Sequence, residues 1–374
     1  MMKGTVIKRG SRWSVVIDLG RDVDGKRVRK WHSGYRTKRE AERARIEILS
    51  RVQNGLYVAP HRITVARWLR DWLKGRVGLA ETTIEGYQRD AARVTDRIGH
   101  LLLNNISTAT LNSLYRELGE TLAPATVKNT HAVVHKAFKD AVRQGILARN
   151  PAEHVELPRP QTPEADTWTA DELGRFLGHV ASHRLGVAWR LVCLTGMRRS
   201  EVLGVRWRSV DLDEGRLAIV DTLVPIKGKP VLRTGETKNR GSRRVIALDT
   251  GTIAALKEHR RRQNEERLMA GDAWASLDLV FTNAIGDPVN PVTFTRWTKQ
   301  QATQAGVPPL TPHDAARHGW ATLALTAGVP PKVVQERLGH SSISITMDRY
   351  SHLIEGMDPA AAEAVAALIE HSSG

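Results

Sequence analysis

The chain has 374 residues, more than one ordinary hydrophobic core organises, so two or three domains are expected. Lys plus Arg number 56 against 40 Asp plus Glu, a formal net charge of +16 with a pI near 10.3; a field of that sign favours a polyanion, nucleic acid first among them, with a merely soluble basic protein as the rival reading. The single cysteine, Cys193, excludes an intrachain disulfide and a cysteine-based zinc site.

Residues 1 to about 58 read as strands followed by a helix, and residues 1–60 hold 15 Lys/Arg against 6 Asp/Glu. The opening residues lack the long apolar core of a signal peptide, and no run reaches membrane-span length, which points to a cytoplasmic protein. Trp13, Val15, Ile17 and Leu19 alternate with Ser14, Val16 and Asp18, close to strand period. Asp22-Val23-Asp24-Gly25 is a turn signal, and Arg27 to Trp31 is a second strand with basic side chains on one face. Thr37-Lys38-Arg39-Glu40 matches a capping box opening a helix to about Arg51, with Ala41, Ala44 and Ile48 inward. A small sheet with one basic face suits a DNA groove; a basic β domain that binds protein or RNA is the alternative.

Residues 61 to about 150 read as all helix. Val65, Trp68, Leu69, Trp72 and Leu73 form an apolar stripe. Ile84, Tyr87, Ala91 and Val94 mark a second helix; Leu111, Leu114 and Leu118 a third, starting near Ser107 or Thr108; and Ala125 to Arg143 a fourth. The Trp and Leu stripes read as core rather than as base-stacking surfaces. Pro151, Pro158, Pro160 and Pro163 then crowd a stretch that favours extended chain, placing a boundary near residue 160.

From Thr169 helix resumes behind the capping box Thr169-Ala170-Asp171-Glu172. Cys193 lies in the apolar run Leu191–Leu194 and reads as a buried, inert thiol. Residues 216–248 are β-rich, with strands at Leu217–Val220 and Arg244–Leu248 and a turn at Asn239-Arg240-Gly241-Ser242. Helices follow from about 251, ending in a short amphipathic one over Pro359–Ile369.

Four segments carry chemistry. In Thr195-Gly196-Met197-Arg198-Arg199-Ser200-Glu201, Arg198 stands where a helix begins after a glycine break; an arginine fork suits phosphate and stays charged. Glu236 to Arg244 reads as a β-hairpin with Lys238 near its tip, able to contact a groove or protonate a leaving oxygen, or simply a solvated basic hairpin. In His313-Asp314-Ala315-Ala316-Arg317-His318, an arginine sits beside imidazoles suited to acid–base work near neutrality. The spacing of His313, His318 and His340 does not make a compact ligand set, so no metal is assigned and no cofactor is expected. Last, Tyr350 lies ten positions after the Gly339-His340 pair. A phenol, with a pKa of about 10, needs nearby cations to act as a nucleophile; in so basic a chain this suggests an enzyme that joins itself to DNA.

The order and spacing of these segments resemble the tyrosine recombinases, or phage-type integrases, strongly over 165–355. The first segment looks like that family's TGxRxxE box, which puts a catalytic Arg on Arg198 and the accompanying acid on Glu201. The hairpin resembles the segment of the catalytic Lys, here Lys238. The stretch from His313 to His352 is similar to the second box, which puts the second Arg on Arg317, the later His on His340 and the nucleophile on Tyr350. One departure stands out: the family's His-x-x-Arg is here His-x-x-x-Arg, so His313 takes the first His role with Asp314 as the alternative occupant.

The resemblance implies a multidomain α+β fold: residues 1–58 an AP2-like arm-type DNA-binding domain of small β-sheet plus helix, 61–155 a SAM-like, all-α core-binding domain, and 165–374 a mainly α catalytic domain with a small antiparallel sheet. It implies site-specific integration through a 3′-phosphotyrosine intermediate. Arg198, Arg317 and His340 would bind the phosphate oxygens, Lys238 would protonate the 5′-oxygen, His313 would assist at the tyrosine, and Glu201 would orient its neighbours. Implied partners are double-stranded DNA at core and arm sites, a homotetramer on DNA, a host DNA-bending protein and an excision factor. The alternatives are a recombinase-fold regulator that binds without cutting, a chromosome-dimer resolvase and a type IB topoisomerase-like enzyme.

Overall fold

The structure, a computed structural model, describes residues 4–21, 24–54, 57–58, 61–158, 166–234 and 243–354. The chain falls into two compact units, Met1–Gln161 and Thr162–Gly374. Four of the sequence expectations lie outside the described residues in whole or part: Asp22 and Val23 of the 22–25 turn, Lys238 with the 239–242 turn, Pro160 and Pro163 of the proline stretch, and the 359–369 helix.

The first unit opens with three antiparallel strands in sequence order, β1 (Gly4–Arg9), β2 (Arg12–Arg21) and β3 (Arg27–Tyr35). The alternation in β2 sends Val15 and Ile17 inward against Ala41 and Ile48 of α1 (Lys38–Gln53). Thr37 caps α1 by accepting from the Glu40 backbone N–H, while Glu40 accepts from the Arg36 N–H rather than from the cap residue. The opposite sheet face stays open, with Trp31 46% exposed under the Arg9 guanidinium at 5.0 Å, and with Arg27 paired to Asp18. β1 and the extension of β3 to Tyr35 were not read from the sequence; both are half-exposed or fully exposed strands with little apolar alternation.

Four helices form a separate core in this unit: α2 (Val65–Lys74), α3 (Glu81–Ile98), α4 (Thr108–Thr121) and α5 (Pro124–Arg143). Ser107 caps α4, and Pro124 starts α5 at the first turn, where its missing N–H costs nothing. The tryptophans are core: Trp68 Nε1 donates to the Ala137 carbonyl at 3.1 Å and Trp72 Nε1 to Asp140 Oδ2 at 2.8 Å. Burying an indole requires such a partner for its N–H.

The second unit packs α6 (Ala170–Val180), α7 (Gly186–Thr195) and α8 (Arg199–Leu203) with two small sheets. One is ordered β4 (Val210–Asp211), β5 (Arg216–Ile219), β8 (Arg244–Ala247); the other pairs β6 (Thr222–Ile226) with β7 (Lys229–Arg233). β5 pairs antiparallel with β8, so the β6–β7 hairpin is an excursion between sheet neighbours. α9 (Thr250–Ala270) and α10 (Pro291–Gln304) follow. His313–His318 is a π-helical turn running into α11 (Gly319–Thr326), then α12 (Pro331–Leu338) and α13 (Ile343–Ile354). Cys193 is buried, and burial pushes its thiol up to about 12. Among the described residues, no helix is long and apolar enough to cross a membrane.

Candidate active site

Two glycine turns bring the separated segments together. Gly196 ends α7 in the left-handed region at φ 67°, and Gly339 ends α12 at φ 64°. A Cβ on Gly196 would stand 2.7 Å from Leu338 and 2.9 Å from Trp320; one on Gly339 would stand 2.7 Å from the Arg244 guanidinium. Only glycine allows this backbone and this approach. Gly196→Ala should therefore destabilise the protein by about 1–3 kcal/mol through overpacking and left-handed strain. Urea unfolding would measure the loss, and adduct formation should fall with it because the flanking arginine anchors move.

The arginines bind these turns. Arg317, 2% exposed, donates from Nη1 to the Gly196 carbonyl and from Nη2 to the Leu338 carbonyl, both at 2.6 Å. Arg198 donates from Nη2 to the Gly339 carbonyl at 3.1 Å and from Nη1 to Glu201 Oε1 at 2.8 Å. Its side chain is 37% exposed, so one guanidinium is sealed in and the other reaches solvent. Burial, reinforced by the Arg198 charge, pulls Arg317 down to about 9.

Glu201 joins the set from beneath. Its Oε2 accepts from the Arg198 backbone N–H at 2.8 Å, and Arg244 donates to Oε1 at 3.2 Å and to Oε2 at 2.9 Å. Burial alone would raise this carboxyl; the hydrogen bond and charge of Arg244, then the charge of Arg198, outweigh it and hold Glu201 below the usual range. Arg244 also donates from Nε to the Arg337 carbonyl at 2.6 Å, tying β8 to α12. Its part in the site was missed in the sequence, where it read only as a strand residue; the sole hint was its place right after the basic hairpin.

His340 follows the Gly339 turn and shares a 2.9 Å hydrogen bond between Nδ1 and Thr346 Oγ1, which joins it to the tyrosine-bearing helix α13. Tyr350 is 3% exposed, with Oη 2.5 Å from His318 Nδ1. Tyr350 also acts electrostatically on Arg317, so hydroxyl and buried guanidinium share one neighbourhood. His313 is half-exposed, with its ring edge-on to His318 at 4.4 Å and its Nδ1 3.3 Å from Asp314 Oδ1. Asp314 accepts from Thr311 Oγ1 at 2.7 Å. The segment that holds the extra residue, His313–His318, is π-helical, a form whose wider turn accommodates one more residue. An open cleft beside His340 is lined by Arg243, Arg244, Gln335, Arg337 and Ser341. Charge-bearing donors around a buried hydroxyl, next to a basic cleft, can stabilise an anionic transition state.

The phage integrase family matches residues 167–356, and an arm DNA-binding domain family matches residues 6–52. A XerC-like tyrosine recombinase of Caldanaerobacter subterraneus subsp. tengcongensis is 31% identical, covering 94% of this chain and 95% of its own. An integrase of Streptomyces ambofaciens is 29% identical over 92% of this chain and 90% of its own. Among solved structures, the Tn1549 transposon integrase in complex with transposon right end DNA superposes with a TM-score of 0.70 at 19% identity, over 81% of this chain and 99% of that one. A lambda integrase tetramer bound to a Holliday junction superposes with a TM-score of 0.58 at 18% identity, over 92% and 93%.

Proposed function

The chain belongs to the phage integrase family of tyrosine recombinases, and from that premise we propose that it cuts and rejoins double-stranded DNA with Tyr350 as nucleophile. It is a site-specific recombinase of the phage or mobile-element type. Tyr350 Oη attacks a scissile phosphate to give a 3′-phosphotyrosine and a free 5′-hydroxyl. The covalent intermediate splits one difficult step into two easier ones and conserves the bond energy for resealing. Arg198 and Arg317 neutralise the charge that builds on the non-bridging oxygens, with His340 as a further donor. Lys238, outside the described residues, is assigned to protonate the 5′-oxygen, and Glu201 positions Arg198.

The observation that carries this reading is the shared anchoring of the two arginines. Arg317 bonds Gly196 and Leu338, and Arg198 bonds the adjoining Gly339, so both forks are fixed by turns that also aim His340 and α13. The reading as a regulator that binds without cutting rested on the extra residue before Arg317; the π-helical turn absorbs that residue and leaves Arg317 buried and bonded.

We assign residues 1–58 to an arm site, 61–155 and 165–374 to the core site, and the working form to a homotetramer on DNA, with a host bending protein and an excision factor as accessories. The match to an arm DNA-binding family and the open sheet face of Trp31 and Arg9 support the first of these. The test is a nicked suicide duplex carrying the attachment core, located by sequencing across the junctions of the integrated element. The parent should form a covalent protein–DNA adduct, and Tyr350→Phe should form none. An adduct in Tyr350→Phe would remove Tyr350 from the reaction.

A further inference from the structure

Among the described residues without a role above, His318 is a buried titratable group that touches the reacting atom. His318, 5% exposed, lies with Nδ1 2.5 Å from Tyr350 Oη, the two rings 6.0 Å apart. We propose that His318 is a catalytic residue: its Nδ1 takes the phenolic proton as Tyr350 attacks, and returns it when the DNA is resealed. The proposal rests on Tyr350 being the nucleophile.

The chemistry asks for such a group. A phenol with a pKa of about 10 is almost wholly protonated near pH 7, so attack needs a base within hydrogen-bond reach of the oxygen. Imidazole is the side chain whose ordinary basicity fits that pH. His318 follows Arg317 directly, and Arg317 is pinned to two carbonyls, so the backbone carrying the imidazole is fixed. Of the groups around the pair, Arg317 shares its segment and is influenced by Arg198, Glu201 and Arg244, which face it from α8 and β8. Asp314 and His313 lie on the solvent side. Burial alone would raise the Asp314 carboxyl. Hydrogen bonds from Thr311 and His313, with the charges of His313 and His318, hold it below the usual carboxylate range. A carboxylate there, with an oxygen within 4.8 Å of a His318 ring nitrogen, favours the imidazolium that proton transfer creates.

The step balances. The Oη–P bond forms as the P–O5′ bond breaks; the phenolic proton passes to Nδ1, and the 5′-oxygen takes a proton from a donor on its own side, the role assigned to Lys238. In resealing, the 5′-hydroxyl attacks phosphorus and returns its proton to the group that supplied it, the Oη–P bond breaks, and the imidazolium gives its proton to Oη. The family resemblance put the work at the tyrosine on His313; the geometry points to the histidine on the other side of Arg317.

Single-turnover adduct formation on the nicked suicide duplex, measured across pH with the full chain, tests this. His318→Asn keeps an acceptor near the Nδ1 position but cannot take the proton. It should slow adduct formation by about 10²–10⁴-fold near pH 7, and the deficit should shrink as the pH approaches the phenol's own pKa of about 10. A more acidic, trifluorinated tyrosine at position 350 should restore most of the rate in His318→Asn. A deficit that stays constant with pH, or a variant as fast as the parent, would overturn the proposal. A second arm leaves His318 intact, in case the variant does not fold. On a duplex with a bridging 5′-sulfur, whose departure needs no proton, the parent should still show a normal solvent deuterium isotope effect; an effect of unity would equally overturn it. An adduct in Tyr350→Phe would instead bring down the nucleophile assignment itself, so the two failures are told apart.

Discussion

Arg317→Ala should slow adduct formation by about 10²–10³-fold, on the order of 3 kcal/mol of transition-state stabilisation, as for loss of a buried oxyanion donor. Arg317→Lys should recover little of it, for two reasons. Lysine cannot reproduce the forked bonds to the Gly196 and Leu338 carbonyls. The site also disfavours positive charge: burial, with the Arg198 charge second, already pulls the guanidinium down to about 9. A lysine starts from about 10.4 and would be pulled toward neutrality by the same environment. The sign follows. The lysine is charged below its lowered pKa and loses its proton as the pH rises, so the residual activity of Arg317→Lys should be greatest near pH 6 and fall by pH 8. The parent should hold its clamp over that whole range. Adduct yield against pH, at matched DNA saturation, measures both curves. A lysine variant that gains activity between pH 6 and 8, relative to the parent, would contradict the burial argument.

The second large effect is on stability. Glu201→Gln keeps the shape of the side chain but removes the negative charge that Arg244 and Arg198 share. Glu201 and Arg244 side chains are 4% and 8% exposed, so Arg244 is left with an uncompensated buried charge. Breaking such a pair costs about 3–5 kcal/mol, on the order of 10 °C in Tm for a unit of this size. Adding Arg244→Met should return part of the loss, because the stranded charge goes with it; that coupling is what a double-mutant cycle measures. The carboxyl's pKa is held below its ordinary 4.5 in the folded state. Its contribution is therefore fully present above about pH 4.5 and is lost as the pH falls through the lowered value. Thermal melts between pH 3 and 6 should show an acid-sensitive limb in the parent that is flatter in Glu201→Gln.

Much of the local structure was legible because it is encoded by neighbours in sequence. The capping boxes before α1 and α6, the Trp68–Trp72 stripe and the alternation in β2 each need only a few residues to state their preference. The Thr169 box has both reciprocal bonds, whereas in the Thr37 box Glu40 turns to Arg36 instead. β4 lies before the stretch read as β-rich, and the β6–β7 hairpin was not resolved within it. Two-residue strands and a turn built on Lys227 at φ 47° leave no clear apolar period to read. The pairing of β5 with β8, across that hairpin, is a long-range choice that no local pattern announces.

The sequence by itself determined the chemical vocabulary of this protein: a strongly basic chain, two arginine segments, an acid three residues after the first arginine and a tyrosine after a Gly-His pair, in an order that one family shares. Residue types and spacing suffice for that, since they are properties of the chain before it folds. Only the tertiary structure decided who touches whom. It sealed Arg317 beneath two glycine turns, put Arg244 behind Glu201, and wound the extra residue before Arg317 into a π-helical turn that leaves His318 on the tyrosine oxygen. The reason is that contact between residues 32 or 43 positions apart is set by how helices and turns pack, and a single inserted residue can change which side chain faces the site without changing a letter of the motif around it.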